Sequence, residues 1–89
     1  MYLHLGQDIV VRLNDVIGIF DIETASTGRV TRKFLARAEQ KLLITNVSSE
    51  LPKSFVVCQG DDGLRIYISQ ISTSTLRKRA DYVRQLTQK

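Results

Sequence analysis

The spacing of apolar residues changes at Gly28, and that change divides the chain into stretches of different geometry. Before it, apolar residues come in short runs. Residues 2–5 and 8–13 are two strand-like segments joined at Gly6-Gln7 in a tight hairpin. Residues 16–22, VIGIFDI, form a dense apolar run too short for a helix, which reads as a mostly buried strand. Gly18 inside it marks a bulge or a close approach by another backbone. Residues 24–28 form a turn, with Thr27 as a candidate N-cap. Beyond Gly28, Val30, Phe34, Leu35, Ala38 and Leu42 fall at helical spacing, so a helix is expected to end near Gln40.

Strand character returns at residues 42–47, LLITNV, followed by a loop through Pro52. Residues 54–59 and 64–69 flank Gly60-Asp61-Asp62-Gly63, a strong hairpin signal. In the second arm Leu64, Ile66 and Ile68 alternate with Arg65, Tyr67 and Ser69, which predicts one buried and one wet face. Residues 72–75, STST, offer caps for a final helix with an apolar stripe of Leu76, Ala80, Val83 and Leu86. The expected fold class is α+β: a small, mainly antiparallel sheet with one inserted helix and a C-terminal helix, in a single domain over residues 1–89. A domain of this size buries only about 60–65 % of the surface its unfolded chain exposes, so association would stabilise it.

Charge is as unevenly distributed as apolar spacing. Residues 1–28 carry one base, Arg12, against Asp8, Asp15, Asp21 and Glu23, for a net charge of −3. Residues 29–89 carry 12 bases against 5 acids, for +7, which together give the formal +4. On the first helix Arg29, Lys33, Arg37 and Lys41 recur every four residues, each step drifting by about 40° around the axis. Arg32 lies beside them and only Glu39 interrupts. On the last helix Arg77, Lys78 and Arg79 are consecutive and fan around the axis. Each helix alone reads as a solvated face; both together, with the acidic first third, favour a polyanion-binding surface.

Catalytic groups do not converge in this sequence. His4 has no Ser or Cys neighbour in sequence and reads as a structural or surface histidine. Cys58, the lone cysteine, lies among Val56, Val57 and Gln59 and reads as a packed thiol. It can form no intrachain disulfide or cysteine-rich zinc site, which fits a reducing compartment. Asp61 and Asp62 are turn residues. No phosphate-binding glycine loop or metal-ligand spacing is present, so no catalytic residue, metal, cofactor or small-molecule substrate is expected, and the chain reads as a non-enzyme. No run approaches a membrane span and no signal-peptide pattern opens the chain, so the expected location is the cytoplasm, away from membranes.

Four segments in order, MYLHLG at 1–6, VIGIFD at 16–21, PKSFVV at 52–57 and STLRKRA at 74–80, carry a family resemblance. The chain resembles the RemA/RemB extracellular-matrix regulators of spore-forming bacteria, with the opening and closing segments nearest the RemB branch. The resemblance implies a small cytoplasmic DNA-binding regulator. RemA-like members assemble into rings that bind DNA on the ring surface and activate matrix and osmoprotection genes; RemB-like members are linked to biofilm matrix control. The positions at which RemA-like proteins place arginines are Asp15, Glu50 and Leu51 here, so those contacts do not carry over.

The resulting expectation is a transcriptional regulator of biofilm matrix genes that binds double-stranded DNA as a ring-like homo-oligomer. The candidate DNA-binding residues are Arg29, Arg32, Lys33, Arg37 and Lys53. Arg77, Lys78 and Arg79 are assigned either to DNA or to the oligomer interface, where they could pair with the acidic first third. The alternative is an oligomeric protein-interaction or scaffold module of the same family that does not touch DNA.

Overall fold

Residues 54–58, SFVVC, are all buried, and covering both faces of that strand organises the molecule. The structure, a computed structural model, describes residues 1–25 and 28–87. Strands β1 (Tyr2–Gly6) and β2 (Ile9–Arg12) form an antiparallel hairpin, and a 3-10 turn at Leu13–Asp15 leads into β3 (Val16–Asp21). A one-turn helix, α1 (Ile22–Ala25), precedes the long helix α2 (Arg29–Gln40). Then come β4 (Ile44–Asn46), β5 (Ser54–Gly60), β6 (Gly63–Ser69) and the C-terminal helix α3 (Thr73–Thr87). The main sheet has the order β3-β5-β6-β4.

Strand β5 alternates its side chains between two cores. Phe55 and Val57 pack with Ile66, Leu35 and Ala38 under α2, while Val56 and Cys58 pack with Leu3, Leu5, Leu76 and Ala80 under the hairpin and α3. The result is three layers: α2, the sheet, and the hairpin with α3. A strand covered on both sides reads as a continuous apolar run, which is why SFVVC shows no alternation.

The expected α+β fold is observed, with the long helix inserted and another at the C-terminus. The sheet is antiparallel except for β4, which runs parallel to β6. Strand β5 has both edges taken by β3 and β6, so β4 joins the outer edge of β6. Several local expectations are corrected. The first turn lies at Gln7-Asp8, one residue later than expected, because Gly6 remains in β1 opposite Ile9 at an irregularity in the ladder. The C-terminal strand of the second hairpin has no wet face: Tyr67 packs in the hairpin core and Ser69 is fully buried, leaving only Arg65 exposed. Leu86 is exposed, since α3 outruns the surface it covers.

Strand β3 also differs from expectation, being an edge strand with exposed apolar side chains rather than a mostly buried one. The expected irregularity at Gly18 is present, with the register slipping between Val16 and Gly18. A Cβ on Gly18 would stand 2.6 Å from the Phe20 ring, which stacks on Phe55 at 5.1 Å between centroids. Glycine there lets the Phe20 ring lie over the backbone. Thr27 lies outside the described residues. The N-cap position of α2 is Gly28, with no side-chain cap bond. At α3 the expected cap forms: Ser72 Oγ accepts from the Thr75 amide, and the Ser72 carbonyl accepts from the Leu76 amide.

Two buried serines tie the layers together. Ser69 Oγ donates to the Leu5 carbonyl at 2.7 Å and accepts from the Ile71 amide at 3.0 Å. Ser54 Oγ donates to the Ile71 carbonyl at 2.7 Å. Ser69→Ala leaves the Leu5 carbonyl and the Ile71 amide without these partners. It is expected to cost about 1–3 kcal/mol of stability, read as a lower urea midpoint at unchanged m-value.

Candidate nucleic-acid interface

Helix α2 turns Leu35 and Ala38 onto the sheet, which leaves its basic residues on the far side. Arg29, Arg32, Lys33 and Arg37 are all exposed, and among the described residues none forms an ion pair. A solvated helix face usually mixes signs, and four uncompensated cations over three turns repel one another mildly. The one acid of the helix, Glu39, sits on the flank beside Leu42, Ile44 and Ile68, at the β4 edge. Lys53 projects from a loop whose backbone is held at both groups: its amide donates to the Ser69 carbonyl, and its carbonyl accepts from the Ile22 amide.

The three consecutive bases of α3 have different roles. Arg77 Nη2 donates to the Ile19 carbonyl at 3.0 Å, and Arg79 Nη1 donates to the His4 carbonyl at 3.2 Å. These bonds fasten α3 to β3 and β1 of the same subunit. Lys78 is exposed between them and makes no such bond among the described residues. The acids of the first third are partly engaged locally. Asp15 lies 3.7 Å from Arg12, and Asp21 accepts from the Glu23 and Thr24 amides at the start of α1.

His4 is occupied in the hairpin, its ring Nε2 2.7 Å from the Gln7 carbonyl. Cys58 is buried as expected, and its thiol is pushed up from 9.0 to about 11, first by burial and second by the nearby Asp15 carboxylate. A cleft of about 310 Å³ includes Cys58, Arg12, Asp15, Asp61 and Asp62 in its lining, but a protonated thiol gives it no nucleophile. Among the described residues no group of His, Cys, Asp or Glu could hold a metal, and no helix is long and apolar enough to cross a membrane.

A second surface escaped the sequence reading. Val30 and Phe34, assigned to the core face of α2, are exposed, Val30 to 82 %. With Ile17 and Phe20 of β3 they line an apolar cleft of about 300 Å³. A helical projection could have found it, since Val30 lies about 80° from Ala38 but only about 20° from Arg37. Counting apolar positions at helical spacing overestimates what the sheet covers.

The chain is 40 % identical over 83 residues to extracellular matrix regulatory protein B of Bacillus subtilis (strain 168), a match covering 93 % of this chain and 94 % of that protein. This chain belongs to the RemB family. No protein-family model matches it. The match covers nearly the whole length of both chains.

Two measurements separate fastening groups from free ones. Arg77→Met and Arg79→Met are each expected to lower stability by about 0.5–1.5 kcal/mol, with Lys78→Met unchanged, in urea titrations. For Cys58, the thiol stays protonated in both folded and unfolded chains below pH 9. Between about pH 9 and pH 11 only the unfolded chain ionises, so stability falls as pH rises through that window. Cys58→Ala is expected to flatten that part of the stability–pH curve relative to the parent chain.

Proposed function

We propose that this chain is a non-enzymatic, cytoplasmic regulator of extracellular-matrix genes that binds double-stranded DNA as a homo-oligomer. The regulatory part rests on the family, whose Bacillus subtilis member is named for that role. The DNA-binding part rests on one observation: Arg29, Arg32, Lys33 and Arg37 share the outer side of α2 with no carboxylate partner among the described residues. Guanidinium and ammonium groups free of acids are available to phosphates, and each contact releases condensed counterions. A few contacts per subunit give weak binding; repetition along an assembly such as a ring multiplies it through effective concentration. Phosphate contacts position the protein, so selectivity would come from repeat spacing and DNA deformability. Lys53 would add a contact from the loop before β5.

A second reading is an oligomeric scaffold without direct DNA contact. It is favoured by the residues at the family's arginine positions, where Asp15 pairs with Arg12 and Glu50 and Leu51 are exposed. Reversing charge at Arg32, Lys33 and Arg37 together (each to Glu) separates the two readings. The expected result is loss of duplex retardation at low salt and a shallower salt dependence for any residual binding, with the oligomer intact. Unchanged retardation would remove the helix from the DNA face.

A further inference from the structure

The basic stripe of α2 has apolar side chains running beside it. Val30 is 82 % exposed and stands about 20° around the axis from Arg37 and about 60° from Lys33. Phe34, one turn on, is 37 % exposed. Arg29, Lys33 and Arg37 have no carboxylate partner among the described residues.

The helix itself gives no reason for this arrangement. Valine is a weaker helix former than alanine or leucine, and at such exposure its side chain gains little from burial. No acid lies in the first turn of α2, where Arg29 instead opposes the helix dipole. Residues that serve neither helix nor core suit a partner that is anionic and, within about one helical turn, apolar.

Duplex DNA offers that combination in its major groove. The 12 residues of α2 run about 18 Å, and a helix about 10–12 Å across enters a groove about 12 Å wide. Phosphates wall the groove, and the thymine 5-methyl is the apolar group that the base edges present inside it. Leu35 and Ala38 hold the opposite side of α2 on the sheet, so its outer side is presented without rearrangement.

We propose that the outer side of α2 lies in the major groove, with Arg29, Lys33 and Arg37 on the phosphates and Val30 against thymine 5-methyl groups. The inference rests on the DNA-binding reading above and specifies which groove and which base the helix meets. Phosphate contacts carry no base information, so Val30 adds a thymine preference to the selectivity that spacing and deformability supply.

Two duplexes of one mixed sequence test this, one with thymine and one with uracil in place of every thymine. Uracil removes the methyl and leaves the phosphates and the base pairing unchanged. The parent chain should bind the thymine duplex at least about threefold more tightly, roughly the factor for burying one methyl. The salt dependence should be the same for both duplexes, because the phosphate contacts are the same. Val30→Ala improves helix propensity at an exposed position and should bring the two affinities together at an unchanged salt dependence. Lys33→Gln should weaken binding to both duplexes, with a shallower salt dependence, and keep the thymine preference.

A parent that binds both duplexes equally would overturn the contact. So would a preference that survives Val30→Ala, since it would then come from duplex stiffness. A Val30→Ala chain of altered mass in light scattering would place Val30 between copies and overturn the contact as well. A parent that retards neither duplex removes the DNA-binding reading, and this inference with it.

Discussion

The burial of β5 on both faces is the constraint from which the rest of the architecture follows. A strand that places Phe55 and Val57 on one side and Val56 and Cys58 on the other cannot be satisfied by a single covering layer. Helix α2 supplies one cover, and the N-terminal hairpin with α3 supplies the other. The cover under α2 leaves that helix's opposite side in solvent, where the basic residues are found. The cover under α3 recruits Arg77 and Arg79 as fasteners, each through one bond to a backbone carbonyl. How the central strand is buried therefore decides which cations are tied to the fold by backbone bonds and which are not.

The elements with strong local signals were legible in the sequence. Gly60-Asp61-Asp62-Gly63 announces its hairpin by turn chemistry, and the shift to helical spacing after Gly28 places α2 within a residue of its observed start. Local patterning does not report what covers a face from far along the chain. Tyr67 and Ser69 looked wet because they alternate with the apolar Leu64, Ile66 and Ile68, yet the hairpin, more than 50 residues away, covers Ser69 and supplies its acceptor. Val30 looked buried because it keeps helical spacing, yet α2 presents only a narrow strip to the sheet. The parallel β4 pairing was equally hidden, because it follows from which edges other strands had taken.

The same division applies to the candidate interface. The basic stripe of α2 was visible as a period-four repeat, and its exposure agrees with that reading. The roles of Arg77, Lys78 and Arg79 were not separable in sequence, since three consecutive cations look equivalent until the backbone carbonyls of β1 and β3 are in place. Family membership narrows the biology to matrix regulation, while the departures at Asp15, Glu50 and Leu51 move attention to cations that this chain itself presents.

The attachment of α3 also orders events during synthesis. This helix follows the other described elements in the chain, yet it docks on β1 and β3, which precede it by more than 50 residues. Until α3 emerges, Leu3, Leu5 and Val56 lack one of their walls, so the core on that side stays open while the elements before α3 are made. The opposite core draws only on elements up to β6 and can close earlier. A nascent chain halted before Leu76 would therefore present a half-covered sheet, which is a surface for chaperones or proteases to act on.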